Sequence, residues 1–173
     1  MRKSYFVAIL CFLLVGFFFG GYKLAQINGG GSFPSYNDKT RQFVHEKSTS
    51  ETLSLIERKN PGIYYFGFPS CPWCQELLPL FNEELKKKEL HAYVTNVRAS
   101  NYTSKDNIRL EKLFIKNTNQ PRLSVPFIIE ITRKHKIITH VGTVKGHNAE
   151  LSKMDSKQKN LLKKQLNSMF LKY

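Results

Sequence analysis

The stretch "YYFGFPSCPWCQELLPLF", Tyr64 to Phe81, places two cysteines three residues apart, between an apolar run and a helical pattern. The run before it, "IYYFGF", is apolar on both faces, which is the pattern of a buried strand. After it, Leu77, Leu78, Leu80, Phe81 and Leu85 share one broad face of a helix predicted from about Pro72 to Glu89. Pro79 falls inside that helix and is expected to kink it, because its missing N–H breaks the hydrogen-bond ladder.

A Cys-x-x-Cys at the start of a helix has a definite physical logic. Pro72 suits the first helical position, where no N–H is needed and φ is already set. Cys71 then becomes the cap, faced by free backbone N–H groups and the positive end of the helix dipole. Both favour thiolate over thiol and lower the pKa. Cys74 lies one turn on, within disulfide reach, with its sulfur expected to face inward. Cys71 is thus the expected attacking thiol, and Cys74 the thiol that resolves a mixed disulfide.

Three other readings stand beside redox exchange. Zinc needs about four ligands, and the sequence has no second Cys-x-x-Cys. His135, His140 and His147 are the nearby candidates, on a predicted hairpin at spacings unlike zinc patterns. A purely structural disulfide closing so small a loop would remove little unfolded-state entropy. Two inert core cysteines would sit oddly beside Pro72 and Trp73 at a helix start.

Working outward, "STSETLSLIERKNPG" carries Ser48 and Glu51 at capping-box spacing, an apolar face of Leu53, Leu55 and Ile56, and a stop at Asn60-Pro61-Gly62. "HAYVTNVRA", His91 to Ala99, reads as a strand. Ser104 to Asn119 reads as a helix with Ile108, Leu110, Leu113 and Phe114 inward. "VPFIIEITRKHKIITHVGTV" reads as two strands with a hairpin near Lys134 to Lys136. Asp155 to Lys172 reads as an amphipathic basic helix with Leu161, Leu162, Leu166, Met169 and Phe170 on its apolar side. A βαβ opening followed by a ββ hairpin and a helix predicts a mixed sheet with helices on both faces.

The N-terminus reads "MRKSYFVAILCFLLVGFFFGGYKLAQ". Arg2 and Lys3 precede about eighteen uncharged residues, enough to span about 27 Å as a helix and so to cross the hydrocarbon layer. The run is longer than a signal-peptide core, and no good A-x-A-like cleavage site follows it. Residues 1–27 are therefore expected to form an uncleaved signal anchor, with the basic end cytoplasmic and everything after Lys23 outside. Cys11, mid-run, is then a small apolar residue facing lipid. Residues 28–48 form a tether that opens with "NGGGS", and Phe33–Lys47 is expected to hold a short docking helix. Residues 49–173 make one domain, long enough to bury a core without staples.

The net charge is +14, from 27 Lys and Arg against 13 Asp and Glu. Such a charge draws a chain to anionic partners such as a lipid surface. The lysines are scattered, however, and mostly describe a solvated face. The denser clusters, Lys86 to Lys88 and Lys157, Lys159, Lys163 and Lys164, do not interleave aromatics, so nucleic acid is not an expected partner.

These residues resemble the thioredoxin family. A buried strand runs into "CPWC", and Pro79 stands five residues after the second cysteine, where the family kinks its active-site helix. "SVPFII" looks like the family's cis-proline loop, with Pro126 opening the next strand, and "HVGTV" places Gly142 where the family's last strand carries a glycine. The resemblance covers about residues 49–173. It implies a thioredoxin-like α/β fold in which Cys71 and Cys74 are catalytic, Val125 and Pro126 position a substrate backbone, and Trp73 shapes the rim. One departure stands out: thioredoxins carry a buried carboxylate six residues before the first cysteine, and here that position is Tyr65. Glu76 or water is the candidate replacement on the proton path. The chain is also similar to small anchored thioredoxin-like proteins of Gram-positive bacteria, including bacteriocin transport accessory proteins.

The resulting expectation is a membrane-tethered, extracytoplasmic thiol–disulfide oxidoreductase, with location and the absent carboxylate leaning toward oxidation. Its partners would be exported cysteine-containing proteins or peptides, a membrane-bound redox partner and the cell membrane. The reading calls for no cofactor and no metal. The alternative is a binding module of the same fold that holds an exported peptide, such as a bacteriocin, for a transporter.

Overall fold

Strand β2 (Gly62–Gly67) lies at the centre of the sheet, and all of its residues are buried. That explains its unbroken apolar run, since a strand covered on both faces shows no alternation with polar residues. The computed structural model of the chain describes residues 36–46 and 48–170. The expected anchor, 1–27, and the start of the tether lie outside the described residues. Among the described residues, no helix is long and apolar enough to cross a membrane.

The fold is α/β. In chain order the elements are β1 (Phe43–Val44), α1 (Thr49–Glu57), β2, α2 (Pro72–Lys87), β3 (Ala92–Asn96), α3 (Ser104–Asn117), β4 (Phe127–Ile131), β5 (Ile137–Val141) and α4 (Ser156–Phe170). They build a five-stranded sheet in the order β1-β3-β2-β4-β5. β1, β3 and β2 run parallel, whereas β4 and β5 are antiparallel additions joined by a hairpin.

The side chains of β2 divide between two cores. Ile63 and Tyr65 join the core beneath α2 and α4, with Leu77, Phe81, Leu162 and Leu166. Tyr64 and Phe66 join the opposite core under α1 and α3, with Leu53, Ile56, Leu110 and Phe114. This is the period-two alternation of a strand, with helices covering both faces as the element order predicts. The cysteines belong to the first core.

Local chemistry sets the helix ends. Ser48 and Glu51 form the capping box at α1, with Glu51 N–H donating to Ser48 Oγ at 3.3 Å and Ser48 N–H to Glu51 Oε2 at 3.2 Å. α2 stops at Lys87, and Glu89 just beyond it adopts a left-handed φ of 55°. Lys86 and Lys87 occupy the last turn of α2, where positive charge suits the helix dipole. The basic clusters are partly neutralised, because Glu83 pairs with Lys87 at 3.0 Å and with Lys163 of α4 at 2.7 Å. Buried Glu84 bonds Lys87 at 2.7 Å and Asn167 at 3.4 Å.

Three expectations change. The segment Phe33–Lys47 supplies strand β1 among its described residues, not a docking helix, and pairs Phe43 with Ala92 and Val44 with Tyr93. Phe43 stacks on Phe81 with ring centroids 5.9 Å apart, and Tyr36 is also buried in this core, so the packed unit begins before residue 49. Ile108 is not inward but 54% exposed, because the buried row of α3 is Leu110 and Phe114, and a residue two positions earlier lies on another face. Leu161 is 47% exposed for a similar reason: the buried row of α4 runs through its neighbour Leu162 and on to Leu166, Met169 and Phe170.

Candidate active site

The chain enters α2 through a tight turn after β2. Cys71 N–H donates to Phe68 C=O at 3.2 Å, and the Gln75 side-chain amide donates to Pro69 C=O at 2.8 Å. Cys71 is the cap residue, in extended backbone, and Pro72 takes the first helical position. The two cysteines are free thiols. Cys71 keeps 3% of its surface and Cys74 none.

Their environments differ in kind. Cys71 Sγ accepts the Cys74 N–H at 3.2 Å. Its pKa is lowered, first by the hydrogen bond from the Cys74 thiol, then by the backbone N–H groups of Cys74 and Trp73 and by the positive charge of Arg98, against the opposing effect of burial. Cys74 is pushed strongly upward, first by burial and then by the neighbouring Cys71. One sulfur therefore favours its thiolate, and the other is a fully buried thiol held protonated.

The loop before β4 closes over the first sulfur. Val125 C=O lies 3.8 Å from Cys71 Sγ, as acceptor for its thiol. The Val125–Pro126 peptide bond is cis, and Pro126 C=O accepts the Gly142 N–H at 2.8 Å, which ties the loop to the end of β5. Trp73 is half-buried against the same core and borders a shallow hollow with His140, Thr143, Lys145 and Gln165. Cys71, Cys74, Trp73, Val125 and Pro126 thus meet at one end of the sheet.

Among the described residues, no group of three or more His, Cys, Asp or Glu side chains is placed to hold a metal ion. The three histidines weighed as ligands hold loops instead. His135 donates to Lys59 C=O at 2.9 Å, His140 to Gly142 C=O at 3.1 Å, and His147 to Ser152 C=O at 3.0 Å. Glu76 is also engaged, because its carboxylate accepts the Met154 N–H at 3.0 Å.

Two residues at the site, Arg98 and Tyr36, escape sequence reasoning. Arg98, just past β3, stacks its guanidinium 3.6 Å above the Phe68 ring and directs its charge toward Cys71. Nothing in the local sequence marks it. Tyr65 fills the floor beneath Cys74, and Tyr36 comes up beside it from the segment before β1. Both hydroxyls are buried and lack a hydrogen-bond partner in bonding geometry. Gly67 leaves room for this arrangement: a Cβ there would stand 2.7 Å from Tyr65 Cζ and 2.9 Å from Cys74 Sγ, and would clash with the Tyr65 hydroxyl. A glycine inside a strand is the sequence signal that marks such a close approach.

The arrangement can pass two electrons between a cysteine pair and an external disulfide or dithiol. Cys71 is poised to attack or be attacked, and Cys74 is one helical turn away to complete the internal bond. No family model matches the sequence.

Proposed function

We propose that this chain is a thioredoxin-like thiol–disulfide oxidoreductase, tethered to the outer side of a membrane, that exchanges disulfides with exported proteins. The observation that carries the reading is the asymmetry of the two thiols: Cys71 caps α2 with its pKa lowered, and Cys74 is buried with its pKa raised. A metal site or an inert pair has no need of such a difference. The sheet order, the helices on both faces and the Val125 carbonyl 3.8 Å from Cys71 Sγ support the thioredoxin-like reading.

In the oxidising direction, a substrate thiolate attacks Cys71 Sγ of the Cys71–Cys74 disulfide. The Cys71–Cys74 bond breaks and Cys74 takes the electron pair and a proton. A second substrate thiolate then attacks the substrate sulfur of the mixed disulfide, which releases Cys71 as thiolate. Stabilising that thiolate favours the reduced protein and makes the disulfide a stronger oxidant. The Cys71 environment therefore leans toward oxidation.

Replacing Cys74 with Ala is expected to trap mixed disulfides through Cys71 in cells, visible as adducts on non-reducing gels that vanish with reductant. Cys71→Ser should trap none. An absence of adducts in the Cys74→Ala chain under mild oxidation would overturn the exchange reading. The reduction potential, measured in glutathione buffers, then decides direction: about −120 to −180 mV marks an oxidase or isomerase, and about −270 mV a reductase.

A further inference from the structure

Two buried hydroxyls with no partner at full hydrogen-bonding geometry, those of Tyr36 and Tyr65, lie in the core that holds Cys74, close to each other and to its sulfur. Such groups are rare in folded proteins because their lost hydration goes uncompensated. Phenylalanine would fill the same space with no such cost. The Tyr65 hydroxyl does not simply point into apolar packing. It converges with Cys74 Sγ on the one spot that Gly67 leaves open, where any side chain on residue 67 would touch both groups.

We propose that the Tyr65 hydroxyl, backed by that of Tyr36, is the hydrogen-bond donor that stabilises Cys74 sulfur while it carries negative charge during disulfide exchange. The inference rests on the exchange reading above. A neutral thiol is a weak acceptor, so in the dithiol state the hydroxyl has no strong partner. A forming thiolate is a strong one. An interaction that is poor in the resting state and good in the reacting state lowers the barrier between them. Burial and the adjacent Cys74 hold the Tyr65 phenol well above the ordinary tyrosine pKa, so it donates a hydrogen bond and keeps its proton.

In the mixed disulfide, Cys71 Sγ is bonded to a substrate sulfur. Cys74 gives up its thiol proton, and its electron pair forms the bond to Cys71 Sγ. The bond between Cys71 and substrate breaks, and its pair goes to the substrate sulfur, which departs as a thiol with one proton. Cys74 and Cys71 end oxidised and the substrate ends reduced by two electrons. In the reverse direction the same hydroxyl stabilises Cys74 as the leaving thiolate. Once the Tyr65 hydroxyl donates to the charged sulfur, Tyr36 supports it by turning its own O–H toward the Tyr65 oxygen.

The test uses the reduced full-length chain with oxidised glutathione as the probe disulfide. Capture of glutathione on Cys71 and its release by Cys74 are followed as separate phases by acid quench. Tyr65→Phe is expected to slow release by at least about tenfold and move its pH dependence upward, while capture and its pH profile stay as in the wild type. Tyr36→Phe should slow release by less. Both variants should melt no lower than the wild type, because each removes a buried hydroxyl with no partner at full hydrogen-bonding geometry. A Tyr65→Phe chain that releases glutathione at the wild-type rate with the wild-type pH dependence overturns this inference alone. A Tyr65→Phe chain that fails to fold hands the decision to Tyr36→Phe, where an unchanged release rate overturns it. A wild-type chain that captures no glutathione overturns the exchange reading and this inference together.

Discussion

The lowered pKa of Cys71 is set by its neighbours as well as by its own position. The helix start supplies two backbone N–H groups, Cys74 supplies a thiol, and Arg98 supplies a full positive charge among the causes that lower its pKa. Of the Cys71–Cys74 pair, alkylation of the reduced chain should therefore modify Cys71, with a midpoint below the value of about 8.5 for an ordinary thiol. The sign follows from the charge state: a lowered pKa leaves thiolate present at pH values where a free cysteine is still protonated. Arg98→Ala should move that midpoint upward, and the change should shrink in high salt because Arg98 is exposed and its field is screened. A wild-type midpoint at or above that of a free thiol would show that the cap and the charge do not act on the sulfur. At this scale the sequence was partly legible. The Cys-Pro-Trp-Cys spacing pointed to the cap and to the inward second thiol. Arg98 and Tyr36 reach the site from distant segments through tertiary packing, which no local pattern encodes.

The helices divide the labour by face. α2 carries the cysteines and packs with α4 on one side of the sheet, while α1 and α3 cover the other. α1 and α3 are tied by Arg109, which bonds both oxygens of Glu57 at 2.9 and 2.7 Å and the hydroxyls of Ser50 and Ser54. The capping box at α1 thus lies on the helix layer opposite the one that carries the cysteines. Ser48→Ala should cost about 1 kcal/mol in urea unfolding and leave the Cys71 alkylation profile unchanged. A shift in that profile would mean that the two faces are coupled through the sheet. Helix extents were readable from caps and apolar periodicity, because both are local. Which residues face inward is less legible: Ile108 and Leu161 are as apolar as their core neighbours, yet the packing selects a narrower row.

For the molecule as a whole, the edge strand matters more than its length suggests. β1 has two residues, too few to show a period, and so it gave no sequence signal. It nevertheless extends the parallel part of the sheet and delivers Phe43 to the stack formed with Phe81, whose ring is also 5.7 Å from that of Tyr65. Phe43→Ala should lower stability by about 3 kcal/mol, a large share of the roughly 5–15 kcal/mol that holds a domain together. Denaturant unfolding measures it, and a loss below about 1 kcal/mol would mean that β1 is only loosely held. The α/β class and the mixed sheet were legible because the order of strands and helices leaves few ways to connect them. The start of the packed unit was not, because it depends on a pairing between Phe43 and Ala92 that only the folded chain reveals.

The narrow space over Gly67 also governs how this chain can vary. Residues 65 and 67 form a dependent pair: the large partner sets the size limit of the small one. A lineage carrying tyrosine at 65 has a one-letter alphabet at 67. Residue 67 gains freedom only after residue 65 has shrunk, and the order of those two changes cannot be reversed without passing through a jammed core.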